Sequence, residues 1–188
     1  MLTTNYLKSH IETKSIIYHK LLSIIKRDYD FRYNLNKPIL DDFAERYGLR
    51  IKQYDDLYVI NYALDDNLEI DENGNPLADK LKHNAMVKEC RSLILDKEFN
   101  VVSRSFDRFF NYGETDHKEF NFKNFKVYDK ADGSLIKIYW YKDEWHISTK
   151  GTAFADGDIP NTKITFRDAI LKDIFKNNFA EFTQYLSK

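Results

Sequence analysis

Between Ser15 and Arg27 the apolar residues Ile16, Ile17, Leu21, Leu22, Ile24 and Ile25 recur at helical spacing, which predicts an amphipathic helix. A second, short helix is expected over Pro38–Tyr47, because proline suits a first helical position and Gly48 suits the residue just past the end. From Leu49 the pattern changes. Asp56–Leu64 is rich in Tyr, Val and Ile and reads as a strand, and Asp71–Pro76 is a turn cluster around Asn73-Gly74. Cys90–Asp96 and Asn100–Ser105 read as two strands joined by a short polar loop. Phe125–Lys130 and Ser134–Tyr141 read as a further strand pair, and Trp145–Lys150 follows the polar tip Lys142–Glu144. Phe154–Thr162 is loop-like. Thr165–Leu186 is helical by pattern, with Phe166, Ile170, Ile174 and Phe175 on one face.

Helices at both ends and antiparallel strands between them predict an α+β fold, with antiparallel sheets flanked by helices. The chain has 188 residues, of which 43% are apolar and 15% aromatic, enough for one domain with a real core. Residues 1–48 are expected to form a helical lead-in and 49–188 the core. Lysine and arginine (29) nearly balance aspartate and glutamate (30), so any contact with phosphates must come from a local cluster of cations. The lone cysteine, Cys90, makes no internal disulfide and is read as a buried structural thiol. His10, His19, His83, His117 and His146 show no metal-ligand spacing. No secretory leader and no run approaching the ~20 apolar residues of a membrane helix is legible, and the cytoplasm is the expected location.

The segment that carries chemistry is Lys130-Ala131-Asp132-Gly133-Ser134-Leu135. Asp-Gly between two strands is also an ordinary tight-turn signal, with a solvated lysine beside it. The chemical alternative is a lysine held next to a bound phosphate, where Gly133 lets backbone approach without a Cβ. Only about one lysine in a thousand is neutral near pH 7, so a nucleophilic Lys130 needs burial or neighbouring cations to lower its proton affinity. Asp132 could orient the amine or hold a metal-bound water.

KADGSL resembles the KxDG motif of covalent nucleotidyltransferases. Three further segments resemble the phage RNA ligase 1 family, in its order and at close spacing. They are Glu89-Cys90-Arg91-Ser92 with its apolar strand, Ser103–Asn111 with its Arg108-Phe109-Phe110-Asn111, and Ser148-Thr149-Lys150-Gly151. The resemblance runs from Tyr58 to the C-terminus. It implies a nucleotidyltransferase (ATP-grasp-like) adenylation domain that uses ATP and Mg2+ to join RNA 5′-phosphate and 3′-hydroxyl ends, transfer RNA being one candidate. It further implies that Lys130 takes AMP, that Arg91, Arg108 and Tyr62 contact the nucleotide, and that Lys150 assists. Arg108 stands where the family usually has lysine, and Ser92 where it usually has glycine. Competing readings are an ion pair of Arg91 with Glu89 or Asp96, a solvent-facing Lys150 and a core Tyr62. No metal ligand is assigned.

The family's later motifs are not found after Gly151. The chain is therefore expected to be the N-terminal part of the adenylyltransferase domain, incomplete at its C-terminus, with a C-terminal half on a separate chain as one possible partner. The alternative function is a non-catalytic remnant that holds nucleotide or RNA.

Overall fold

A computed structural model describes residues 15, 17–20, 39–63, 84–111, 123 and 126–186. The turn cluster expected at Asp71–Pro76, most of the helix expected at Ser15–Arg27, and Phe125 lie outside the described residues; residues 17–20 are helical.

Helix α1 spans Ile39–Arg46, with Asp41 and Asp42 in its first turn and Arg46 in its last, each complementing the helix dipole. It stops at Gly48, whose φ of 57° is the left-handed cap expected from sequence. The chain then enters β1 (Leu49–Gln53), turns, and returns as β2 (Leu57–Tyr62) in antiparallel register, with Ile51 opposite Ile60. Helix α2 (Ala85–Glu89) follows, started by Asn84, whose side chain accepts from the Met86 and Val87 amides. Strands β3 (Leu93–Asp96) and β4 (Val101–Ser103) complete a four-stranded sheet in the order β1-β2-β3-β4. The β3–β4 turn is organised by the Asp96 carboxylate, which accepts from the Glu98 and Asn100 amides at 2.9 and 2.8 Å.

Both faces of this sheet are covered. Ile60, Leu93 and Leu95 pack with Ile17, Phe43, Met86 and Val87 on the helical side. Leu57, Val59 and Ile94 pack with Tyr139 and Ala153 on the other. Burial on both faces is why β2 and β3 read as apolar runs rather than as alternating strands. The second face is covered by a hairpin, β5 (Ile136–Tyr141) and β6 (Glu144–Thr149). Its turn residues Lys142 and Asp143 have φ of 49° and 61°, the pair of positive values that a two-residue type I′ turn demands. The far side of the hairpin buries Ile147 against Ala155 and Ile170, with Phe166, Phe175 and Phe179 around them. The described residues thus stack as helices, sheet, hairpin, helices, which bears out α+β with antiparallel sheets.

Two expectations are corrected. Residues 126–135 form no strand, and among the described residues β5 pairs with β6 alone, so KADGS is not the turn of a hairpin. Val127 and Tyr128 are 80% and 78% exposed; with no face to bury, their β-propensity has nothing to act on. The helix expected over Thr165–Leu186 is divided. Helix α3 (Phe166–Ala169), capped by Thr165, runs into a π-helical turn at Ile170–Ile174, and α4 spans Phe179–Leu186. Lys176 and Asn177 take positive φ between them. The break lets Phe175 and Phe179 both reach the hairpin core, their rings 5.0 Å apart.

Candidate functional site

Three of the four motif segments, 89–92, 103–111 and 148–151, meet where α2 gives way to β3. Glu89 ends α2 and pairs with Arg104 at 2.9 Å, and Arg104 also pairs with Asp107 at 2.6 Å. Desolvation raises the Glu89 carboxyl above its ordinary proton affinity, with Arg104 opposing. The Arg108 amide donates to the Lys88 carbonyl at 2.8 Å, and the Ser105 hydroxyl donates to the Arg91 carbonyl. These contacts stitch the segment 103–111 to the segment 89–92. Cys90 is fully buried, and burial drives its thiol far up, as suits a structural residue.

Glu89 is therefore committed to Arg104, and the ion pair considered for Arg91 does not form. The Arg91 guanidinium lies 4.8 Å from the ring centres of both Phe106 and Phe109. That of Arg108 lies 4.7 Å from the Tyr62 ring and 5.1 Å from that of Phe110. The Lys150 ammonium stands 5.2 Å from the same Tyr62 ring. Tyr62, Arg108 and Lys150 are thus one cluster, assembled from positions far apart in the chain, with Arg91 held by the segment that carries Arg108.

One Nη1 atom of Arg91 and one of Arg108 are buried with no hydrogen-bond partner among the described residues. Ring contacts contribute about 0.5–2 kcal/mol each. They do not replace the hydrogen bond that a buried guanidinium N–H lacks, whose loss costs about 1–3 kcal/mol or more. A bound anion would supply it, and guanidinium geometry suits phosphate oxygens. Among the described residues no three His, Cys, Asp or Glu side chains converge as a metal site. Magnesium usually keeps phosphate oxygens and waters in its shell.

The turn carrying Lys150 is shaped by Thr149 and Thr152, joined by an amide-to-carbonyl bond of 3.1 Å and a hydroxyl pair at 2.9 Å. Behind it lies a polar knot that sequence reasoning missed. The Ser92 amide donates to Asn61 Oδ1 at 2.8 Å, and Asn61 Nδ2 donates to the Lys150 carbonyl at 2.9 Å. The Ser92 hydroxyl donates to the Thr149 carbonyl at 3.0 Å, and Lys137 Nζ donates to the Ser92 carbonyl. Burial alone lowers the Lys137 amine from its ordinary 10.5 to about 7. A weak signal was present: Lys137 shares its strand phase with Tyr139, which faces the core.

Lys130 lies apart from the cluster. Its ammonium contacts Asp132 at 3.2 Å, and the two side chains are 71% and 97% exposed. Gly133 has φ +153° with nothing within 4 Å of where a Cβ would stand, so its backbone freedom is used while the space above it is open.

The comparison with known proteins bears on which anion is meant. A family model described as RNA ligase matches residues 89–187, just over half of the chain, from the glutamate that ends α2 onward. The chain belongs to the phage RNA ligase 1 family. Two relatives agree. One, from Autographa californica nuclear polyhedrosis virus, is named for a bifunctional polynucleotide kinase/RNA ligase activity; it is 41% identical over 144 residues, covering 70% of this chain and 19% of the relative. The other, an RNA ligase of Rhodothermus phage RM378, is 29% identical over 159 residues, covering 70% of this chain and 33% of the relative. The chain therefore spans a third or less of the length of these relatives. No solved structure matches it. Among the described residues no helix is long and apolar enough to cross a membrane.

Proposed function

We propose that this chain carries the nucleophile and part of the triphosphate site of an ATP-dependent RNA ligase. The observation that carries the reading is the pair of buried, unpartnered guanidinium donors on Arg91 and Arg108, with Lys150 beside Tyr62, in a chain of the RNA ligase family. In this reading ATP lays its phosphates against these cations, and the segment around Gly133 brings in Lys130. The neutral Lys130 amine attacks the α-phosphorus, the bond to pyrophosphate breaks, and the amine proton leaves to solvent or to Asp132. Arg91, Arg108 and Lys150 offset the charge gathering on the departing pyrophosphate. AMP then stays on Lys130 through a P–N bond. An RNA 5′-phosphate displaces the lysine to form an activated end, and an RNA 3′-hydroxyl attacks that end and releases AMP. Magnesium would neutralise phosphate charge when bound with ATP. The chain's own contribution is positioning: cations for the phosphates and one lysine for the α-phosphorus.

Incubation with α-labelled ATP and magnesium tests this. The expected result is label retained on the denatured protein and lost in Lys130→Ala. Retention of label in that variant would overturn the assignment of the nucleophile. ATP binding without any adduct, even at long incubation, would leave a nucleotide-holding module in place of a ligase.

A further inference from the structure

Arg91 and Lys150 belong to different sheets. Arg91 precedes β3 of the four-stranded sheet, and Lys150 follows β6 of the hairpin. Among the described residues no strand pairing joins these sheets, and side chains rather than strand hydrogen bonds link the two cations' segments. Side chains bridge the seam at this end. Asn61 on β2 receives the Ser92 amide and donates to the Lys150 carbonyl. The Ser92 hydroxyl reaches the Thr149 carbonyl, and Lys137 on β5 holds the Ser92 carbonyl. Ser92 itself is fully buried, in the left-handed region at φ 60°. Its amide, hydroxyl and carbonyl are all engaged, and the Arg91 carbonyl is engaged by Ser105. The peptide on the C-terminal side of Arg91 is thus gripped through both its carbonyl and its amide, and so is the carbonyl of Lys150.

We propose that Lys137, with Asn61, is a positioning residue of the nucleotide site: the two side chains clamp Ser92 across the seam between the sheets and so set the separation of Arg91 from Lys150. The inference rests on the ligase reading above, since it assigns a purpose to the spacing of cations that the reading uses. Packing alone does not account for a lysine here. An apolar side chain at position 137 would fill the seam between Tyr139 and the neighbouring strands without the cost of burying an amine. Ser148, opposite Lys137 in the hairpin register, also keeps a buried hydroxyl without a partner among the described residues. The seam is polar on this side where an apolar one would serve stability better, which is the pattern expected of residues kept for a site.

The clamp acts on the spacing of cations, so its loss should weaken a long polyanion more than a short one. ATP and AMP binding to the full chain are measured by calorimetry, with magnesium, for the unaltered protein, Lys137→Met, Lys137→Arg and Asn61→Leu. Lys137→Met is expected to lower ATP affinity about tenfold, the loss of a part-buried hydrogen bond at the site, and to change AMP affinity less than twofold. Lys137→Arg, which can still donate to the Ser92 carbonyl, should restore most of the preference for ATP. Asn61→Leu should show the same selective loss by a different chemistry, so a Lys137→Met protein that fails to fold leaves the test intact. Equal weakening of ATP and AMP in either variant would reduce the clamp to a structural element and overturn the proposal. Unchanged ATP affinity in both variants overturns it too, with the ligase reading left standing. Absence of ATP binding by the unaltered protein would overturn both.

Discussion

Replacing Lys137 by methionine should change how stability depends on pH. The side chain keeps its length and loses its titration. In the folded protein burial lowers the Lys137 amine from 10.5 to about 7. In the unfolded chain it returns to its ordinary value. Between these limits the unfolded state binds the extra proton, so folding stability rises with pH across the window. Each unit of difference is worth about 1.4 kcal/mol. Because the folded amine is only half titrated near pH 7, the gain from pH 7 to pH 9 is about 2 kcal/mol. Below pH 7 both states are protonated and the full cost of the buried charge is present. Urea unfolding, followed through Trp140 and Trp145, gives this directly at pH 7, 8 and 9. Stability of the unaltered protein relative to Lys137→Met should rise by about 2 kcal/mol over the range. Other groups titrate in both proteins and cancel in the difference. Equal pH slopes for the two proteins would mean that the amine keeps an ordinary proton affinity. Lys137 would then be solvated, and its place in the seam between the sheets would be wrong.

Four further outcomes follow from the structure. Arg108→Ala should lower ATP affinity about ten- to a hundredfold in equilibrium dialysis, as expected for a charged hydrogen bond at a buried group; unchanged affinity would remove Arg108 from the anion site. At Ser92, glycine relieves the positive φ but loses the hydroxyl bond to Thr149, two effects of about 1 kcal/mol each and opposite sign. Ser92→Gly should therefore melt close to the unaltered protein. Ser92→Val, a branched side chain in a fully buried left-handed position, should destabilise by about 2–4 kcal/mol in thermal denaturation. The Cys90 thiol, buried and pushed up by desolvation, should resist an aromatic disulfide reagent until urea unfolds the chain; prompt labelling at pH 8 would contradict its burial.

Where a residue's role depended on its near neighbours in the chain, it was legible. Gly48 ends α1 because the chain needs a left-handed cap there, and Lys142-Asp143 turns the hairpin at the polar tip between two apolar strands. The grouping of Tyr62, Arg108 and Lys150 was legible only through resemblance to a family, since nothing in local spacing brings residues so far apart together. Local pattern misled at residues 126–130, where β-prone residues join no sheet among the described residues, and at Lys176–Asn178, where a helical pattern yields to a turn that serves the packing of Phe175 and Phe179.

By itself the sequence determined the type and order of most elements and the family. These follow from periodicity, cap residues and short motifs, which act over a few residues along the chain. Tertiary structure alone decided that Lys137 is half-buried with its amine lowered toward about 7, that Ser92 takes a left-handed turn held by the Asn61 and Lys137 side chains, and that Arg91 and Arg108 keep buried donors without a partner among the described residues. Each of these depends on desolvation by groups distant in sequence. Burial is a property of the packed layers, and a strand's own residues do not say what will cover them.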